Sequence, residues 1–444
     1  MQRRNFLANT LRAGLAAGFG TSLGCGAARR PGAPLQPTAD ATTGLSLLRL
    51  PPGFRYFSFG WAGETLAGGG AIPESADGMG IVAHRGPRLT LIRNQEVTHA
   101  RGAFAAPDQA YDARCGGGCV RLELDLAQEK LIRAEAALTG TLINCAGGIT
   151  SRGTWLSCEE IVIARDESSD DGRLANAAGL SRSHGWVFEV PASGMSDAKP
   201  IEAMGIFRHE ATAEDADGNI YLTEDRDPEA GFYRFTPSTK GRLDSGRLEM
   251  LRAVGRSDLR GAVRRGARFD VSWVPIDDPR RAHFDASDQG GVVKQGLAAG
   301  GTMFLRLEGC LTTPEGIWFT STSGGSTGGG QLWRFDPRRQ TLTLEHDVVD
   351  RTHFDYPDNL ASGLGEGLVI CEDSKDRAHQ QLVWLSRRGR LVTIAENHTM
   401  IDGVDYGAAE WAGACVSPDG RWLIANVYRP GFSVAITGPW DEIL

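Results

Sequence analysis

Beyond about residue 45, apolar residues fall in short alternating runs separated by glycine-rich or acidic turns, a pattern that predicts strands. One motif recurs along the chain. Ala216-Asp217-Gly218-Asn219-Ile220-Tyr221-Leu222-Thr223-Glu224-Asp225 is one copy, Thr313-Pro314-Glu315-Gly316-Ile317-Trp318-Phe319-Thr320 a second and Ser417-Pro418-Asp419-Gly420-Arg421-Trp422-Leu423-Ile424 a third. Ser151-Arg152-Gly153-Thr154-Trp155-Leu156 and Gly365-Glu366-Gly367-Leu368-Val369-Ile370 are looser copies. A tight turn leading into an aromatic and β-branched run signals a hairpin. Further strands follow each hairpin, such as Gln331-Leu332-Trp333-Arg334-Phe335 and the alternating Thr341–His346. That makes about four strands per unit, with units recurring every roughly 45 to 100 residues. About six units are expected, near 46–112, 113–165, 184–228, 231–325, 330–375 and 380–438. The pattern predicts an all-β, six-bladed β-propeller, with the strand near Phe432–Ile436 pairing back to the first unit. A β-sandwich is the plainer alternative.

In a propeller the first strand of each blade is innermost, so aligned positions at its start ring a central channel. Those starts read Asn144-Cys145-Ala146-Gly147, His209-Glu210-Ala211-Thr212, Leu307-Glu308-Gly309-Cys310 and Asp358-Asn359-Leu360-Ala361. A fifth copy, Ala412-Gly413-Ala414-Cys415, lacks a carboxylate or amide. The second strand runs back to the same face and ends in Cys158-Glu159-Glu160, Glu224-Asp225-Arg226 or Cys371-Glu372-Asp373. Arg93-Asn94-Gln95-Glu96 is the same kind of strand end. One such acidic pair is ordinarily a solvated turn; the argument rests on equivalent positions in several blades. Converging carboxylates in a partly buried channel repel one another unless cations relieve them. Oxygen ligands suit calcium, and a thiolate such as Cys145 suits a softer transition metal. A central metal-binding channel is therefore expected. Arg306, two residues before Glu308, is placed to meet phosphate oxygens, with a structural salt bridge as the ordinary alternative. His209 is expected to pack or to support a ligand.

Composition adds limits. The chain carries 58 glycines without a collagen period, and a net charge of -8 argues against a nucleic-acid coat. Residues 1–28, with Arg3-Arg4-Asn5-Phe6-Leu7 before an apolar run, read as a twin-arginine export signal. Residues 29–45 read as a linker, and Cys25 is the candidate for a lipid anchor. Periplasmic or extracellular localisation follows, reached through the twin-arginine export machinery. No later run is long and apolar enough to span a bilayer. Seven cysteines remain after Cys25, an odd number, and Cys115 could pair with Cys119 across three glycines. No nucleophile elbow, Walker loop or H-E-x-x-H motif occurs.

At these residues the chain resembles the PhoX family of bacterial alkaline phosphatases. The long match is Asn144-Cys145-Ala146-Gly147-Gly148 with Gly153-Thr154-Trp155-Leu156-Ser157-Cys158-Glu159-Glu160. Arg208-His209-Glu210-Ala211, Tyr221–Arg226, Arg306-Leu307-Glu308-Gly309 and Pro357-Asp358-Asn359-Leu360 extend it over most of residues 90–430. The resemblance implies a six-bladed propeller over residues 46–444, iron and calcium as cofactors, and hydrolysis of phosphate monoesters. It makes Cys145 an iron ligand, Glu210 and Glu308 carboxylates shared among metals, and Arg306 a phosphate contact. It makes Glu159, Glu160 and Glu96 calcium ligands. Leu307 departs from the family pattern, where a proline is expected. Two other readings remain: a calcium-dependent lactonase or esterase, and a non-catalytic propeller whose metals only knit the blades together.

Overall fold

The computed structural model describes residues 34–163, 179–282 and 290–444. The paired arginines, the apolar run after them and Cys25 lie outside the described residues. The unit from Gly32 to Leu444 has an all-β, propeller-like fold of twisted antiparallel sheets.

Local turn chemistry makes the hairpins. Between His209–Glu214 and Ile220–Glu224, Gly218 adopts φ 89° and the Asp215 carboxylate accepts the amides of Asp217 (2.9 Å) and Asn219 (3.0 Å). Such a turn needs a residue tolerant of positive φ, hence the recurring Asp-Gly.

Among the described residues, six hairpins lead the sheets. Ala76–Arg85 and Arg88–Gln95 pair with Gly117–Asp125 and Lys130–Thr141 in a four-stranded sheet. Asn144–Ile149, Trp155–Glu159 and Val187–Val190 form the next. His209–Glu214, Ile220–Glu224, Phe232–Thr239 and Arg242–Ala253 reach, through Arg268–Pro275, the outer edge of the sheet led by Leu307–Thr313 and Gly316–Ser321. Pro357–Ser362 and Gly367–Glu372 lead a sheet that runs outward to Leu48–Leu50 and Gln36–Thr38. Trp411–Val416, Trp422–Val427 and Phe432–Thr437 take Arg55–Phe59 as their fourth strand, the closing pairing expected from the sequence. Each leading strand touches the next, and the sixth touches the first.

The unit boundaries differ from expectation: Gly117–Asp125, Val187–Val190, Phe232–Thr239, Gln331–Asp336 and Gln381–Ser386, each read as part of the following unit, pair back onto the hairpin before them. The first sheet continues to Thr141, because Gly117–Asp125 pairs with Arg88–Gln95 rather than opening a unit of its own. Part of the stretch read as linker is docked: Gln36–Thr38 pairs with Leu48–Leu50, and buried Asp40 accepts the amide and hydroxyl of Ser58 at 2.7 and 2.6 Å.

Neighbouring sheets bury their apolar faces against one another. Tyr221 and Phe232 from one sheet meet Phe319, Trp333 and Phe335 from the next, with Phe232 and Phe319 stacked at 4.2 Å. Leu91 of the first sheet meets Phe57, Trp422 and Ile424 of the sixth in the same way.

Every leading strand carries one β-bulge near its start. Three residues of it span two of its partner between Ala76 and Met79, Asn144 and Gly147, His209 and Thr212, Leu307 and Cys310, and Pro357 and Leu360. In the sixth hairpin the bulge lies one residue further along, between Ala412 and Cys415. A bulge leaves backbone groups unpaired and re-aims a side chain. The freed carbonyls are met from the preceding sheet. Asn94 Nδ2 donates to Cys145 O (3.1 Å) and Ala146 O (2.7 Å), Thr223 Oγ1 to Glu308 O (2.5 Å), and Thr320 Oγ1 to Asp358 O (3.2 Å). Asn426 Nδ2 donates to Asp77 O.

Backbones approach closely at the bulges. A Cβ on Gly309 would lie 2.4 Å from Asp358 O and 3.1 Å from Asn359 Cα. Gly309→Ala is therefore expected to lower stability by about 1–3 kcal/mol through overpacking, read as a lower midpoint in thermal or urea denaturation. An unchanged midpoint would show that the two strands separate freely at this point.

Candidate functional site

The bulges decide which side chains converge. The first unpaired residue in five of them is Asp77, Cys145, Glu210, Glu308 or Asp358. The sixth has Gly413 there, and Glu410, just before that strand, supplies the carboxylate instead.

The returning strands add a second tier. The residue beyond each is Glu96, Glu160, Asp225, Thr322, Asp373 or Tyr428. Its amide donates to the residue just before the leading strand: Ser75, Ile143, Arg208, Arg306, Tyr356 or Glu410 O, at 2.8–3.1 Å. Equivalent backbone positions in six hairpins thus present acids and two arginines to one place.

Two ligand groups stand out. Ligand atoms of Glu96, Cys145 and Glu160 lie within 4.8 Å of one another, as do those of Asp77, Glu96 and Glu410. Glu96 belongs to both. Cys145 Sγ is 3.7 Å from Asp77 Oδ2. Glu210 is 1% exposed, and its Oε1 has no hydrogen-bond partner among the described residues. Arg306, at φ 44°, forks onto Asp225 (3.0 and 2.9 Å) and also donates to Glu308. Its Nη1 is buried without a partner among the described residues.

The electrostatics record the crowding. Burial pushes Glu210 well above the usual carboxylate range, and Asp358, Glu160 and Glu308 push it further. Asp77, Asp358 and Glu410 are raised in the same way, by burial first and then by neighbouring acids. Glu308 is raised to about 8 by burial, with Asp225 and Asp373 adding and Arg306 opposing. Burial, then Asp77, raises the Cys145 thiol. Burial and mutual repulsion both favour the protonated form of these acids, and Arg306 opposes them most directly at Glu308.

The donor set fits bound cations. Buried carboxylates sharing Glu96, a thiol beside them and an orphaned carboxylate oxygen are what oxygen-rich and mixed oxygen–sulfur metal sites require. Of the residues expected from the sequence, Cys145, Glu210, Glu308, Glu160, Glu96 and Arg306 are brought together.

Glu159 is not. Adjacent strand residues point to opposite sides, so Glu160 faces the cluster while Glu159 turns into the protein. There it accepts the amides of Leu142 (2.9 Å), Gly185 (2.8 Å) and Trp186 (3.2 Å) and meets His184 Nδ1 at 2.6 Å. Glu224 and Glu372 do the same beside Asp225 and Asp373: Glu224 accepts the amide of Gly231 (3.0 Å), and Glu372 accepts those of Asp355 and Gln381 (both 3.1 Å). His209 packs on Phe207 at 3.6 Å, meets Gly205 O at 2.9 Å and is held neutral by burial. Cys115 and Cys119 are both free thiols. They face different neighbours, His184 and Asn94, so the expected pairing does not form.

Asp77 and Glu410 escape sequence reasoning, and Asp358 is placed one position out of register. Asp77 has a signal, an acid followed by Gly78 at the start of a strand. Glu410 has none, since it lies outside the repeated motif.

Solved structures are distantly similar. A catalytically inactive virginiamycin B lyase from Staphylococcus aureus, with quinupristin, is 13% identical with a TM-score of 0.41, covering 86% of this chain and 99% of that one. The PQQ-bound aldose sugar dehydrogenase from Streptomyces coelicolor is 11% identical with a TM-score of 0.36, covering 81% and 86%. Likeness at this distance says nothing about activity. No curated protein matches the chain. The family described as alkaline phosphatase PhoX matches residues 122–431, over the stretch that supplies all the converging residues except Asp77 and Glu96, and the chain belongs to that family.

Proposed function

We propose that the protein is an exported, metal-dependent phosphatase that hydrolyses phosphate monoesters. Its hairpins would be the inner halves of a six-bladed β-propeller around a central channel. The cyclic contacts of the six leading strands support that geometry, as does a cavity of about 700 Å³ lined by residues of all six. The observation that carries the activity is the convergence of buried acids, one thiol and an arginine fork in a chain of a phosphatase family.

Cys145 with Glu96 and Glu160 would hold iron, and Asp77, Glu96 and Glu410 would hold calcium, with Glu210, Glu308 and Asp358 completing the oxygen ligands. When bound, such cations supply positive charge to phosphate oxygens and Lewis-acid activation of water. The chain's own part is positional. Asp225 and Glu308 hold the Arg306 guanidinium at the cluster, leaving Nη1 to donate to a phosphate oxygen as charge develops there. The bulges fix the carboxylates on strands, so the site is set before substrate arrives.

Export rests on the Arg3-Arg4 motif, with periplasmic or extracellular release and a lipid at Cys25 as the companion proposals. No described helix is long and apolar enough to cross a membrane.

Chelation should expose the carboxylate repulsion. A carboxyl whose folded pKa is raised stabilises the fold fully below its unfolded value. That contribution is lost as pH rises through the folded value, about 8 for Glu308. Chelated protein should therefore melt lower at pH 9 than at pH 5, by on the order of 5 °C or more. Added calcium should remove most of that slope. A flat profile after chelation would mean the acids are not confined together.

Metal analysis of the protein purified after export should find iron and calcium, with turnover of a chromogenic phosphomonoester. Cys145→Ser should lower iron content and turnover together; unchanged iron would remove Cys145 from the site. Arg306→Ala should lower kcat/KM by about 100-fold with metal content retained. Calcium alone without phosphatase turnover would defeat the proposal.

A further inference from the structure

Glu159, turned away from the carboxylate cluster, is part of a second group of ligand-type side chains. Asp112, Cys115 and His184 are buried, at 1%, 0% and 0% exposure. One ligand atom from each lies within 4.8 Å of the others. Asp112 and Cys115 sit on one tight turn, closed by Cys115 N donating to Asp112 O at 3.0 Å. His184 comes from a distant segment, fixed by a reciprocal backbone bridge to Ile163 at 2.9 and 3.2 Å.

The imidazole is oriented. Its Nδ1 meets Glu159 Oε1 at 2.6 Å, and Glu159 is itself fixed by three backbone amides. Nε2 is left facing Cys115 Sγ at 3.5 Å and Asp112 Oδ2 at 4.0 Å. A carboxylate on one ring nitrogen is how metal-binding histidines are set in one tautomer, with the other nitrogen free to ligate. Asp112 is likewise held by amides, Arg114 N on Oδ1 (3.0 Å) and Ser181 N and Arg182 N on Oδ2 (2.6 and 3.3 Å).

The spacing matters. A contact of 4.0 Å is too long for a hydrogen bond between Nε2 and Asp112. A tetrahedral ion ~2.3 Å from sulfur and ~2.0 Å from nitrogen separates those two atoms by about 3.5 Å. The Sγ–Nε2 separation has that value.

The geometry points to a structural metal site for a borderline divalent transition ion of the zinc type, held by Asp112, Cys115 and His184 with Glu159 orienting the histidine. A thiolate, an imidazole and a carboxylate suit such an ion and not calcium. A second Asp112 oxygen or a water would complete four-coordination. Full burial makes the site a staple, tying the Asp112–Cys115 turn to the Ile163–His184 bridge, rather than a place of reaction. The inference does not depend on the phosphatase reading.

The test uses Co²⁺ as the probe and the full chain carrying Cys145→Ser, so that the carboxylate cluster offers no thiolate. The chelated protein should take up Co²⁺ with a sulfur-to-cobalt charge-transfer band in the near ultraviolet. Adding Cys115→Ser should abolish the band. No band in folded Cys145→Ser protein, or a band that survives Cys115→Ser, would overturn the site. Should the double variant fail to fold, X-ray absorption at the zinc edge of zinc-loaded Cys145→Ser protein decides: one sulfur neighbour at about 2.3 Å supports the site, and oxygen and nitrogen neighbours alone refute it.

Discussion

Like charge confined in a buried space is the constraint on which the rest of this structure depends. Carboxylates seldom lie fully buried unless paired, and here several share one cluster with a single arginine fork among them. Holding them there requires a rigid frame. The frame is built from a repeated irregularity, a bulge in each leading strand, whose freed carbonyl is taken up in four places by an asparagine or threonine of the preceding sheet. The same bonds that satisfy the backbone lock one sheet to the next. Small residues after three of the bulged acids and the bulged thiol, Gly78, Ala211, Gly309 and Ala146, let neighbouring strands come that close.

The acid pairs at the ends of returning strands divide labour by alternation. Glu160, Asp225 and Asp373 lie beyond the strand and belong to the charged cluster. Glu159, Glu224 and Glu372 lie within it and tie down loop amides. A pair that looks redundant in the sequence serves two purposes, one on each side of the backbone.

The hairpins and their repetition were legible because alternation and Asp-Gly turns are local signals. So were Cys145, Glu210, Glu308, Glu160, Glu96 and Arg306, which recur at fixed places in the motif. Sheet membership was harder. That Gly117–Asp125 belongs with Arg88–Gln95 is a non-local choice, made across an insertion that no turn signal marks. Asp358 was misaligned by one because Asn359 stands where its counterparts have glycine or alanine, so the acid–small pair that marks a bulge is disguised. Glu159 was misjudged for the opposite reason: its likeness to Glu160 hid the strand geometry that separates them. Glu410 compensates for Gly413 from outside the motif, and only three-dimensional proximity reveals it.

The pairing of Phe432–Thr437 with Arg55–Phe59 joins an early and a late strand of the described chain in one sheet. Synthesis delivers these strands hundreds of residues apart in order, so the early one waits as an unpaired edge while the ribosome makes the rest. The latch closes only once Phe432–Thr437 has been made. A chain cut short upstream of Phe432 would keep that edge exposed, open to aggregation and to quality-control proteases. For a protein proposed to be exported, this latch would make compactness of shape depend on a strand made late in synthesis.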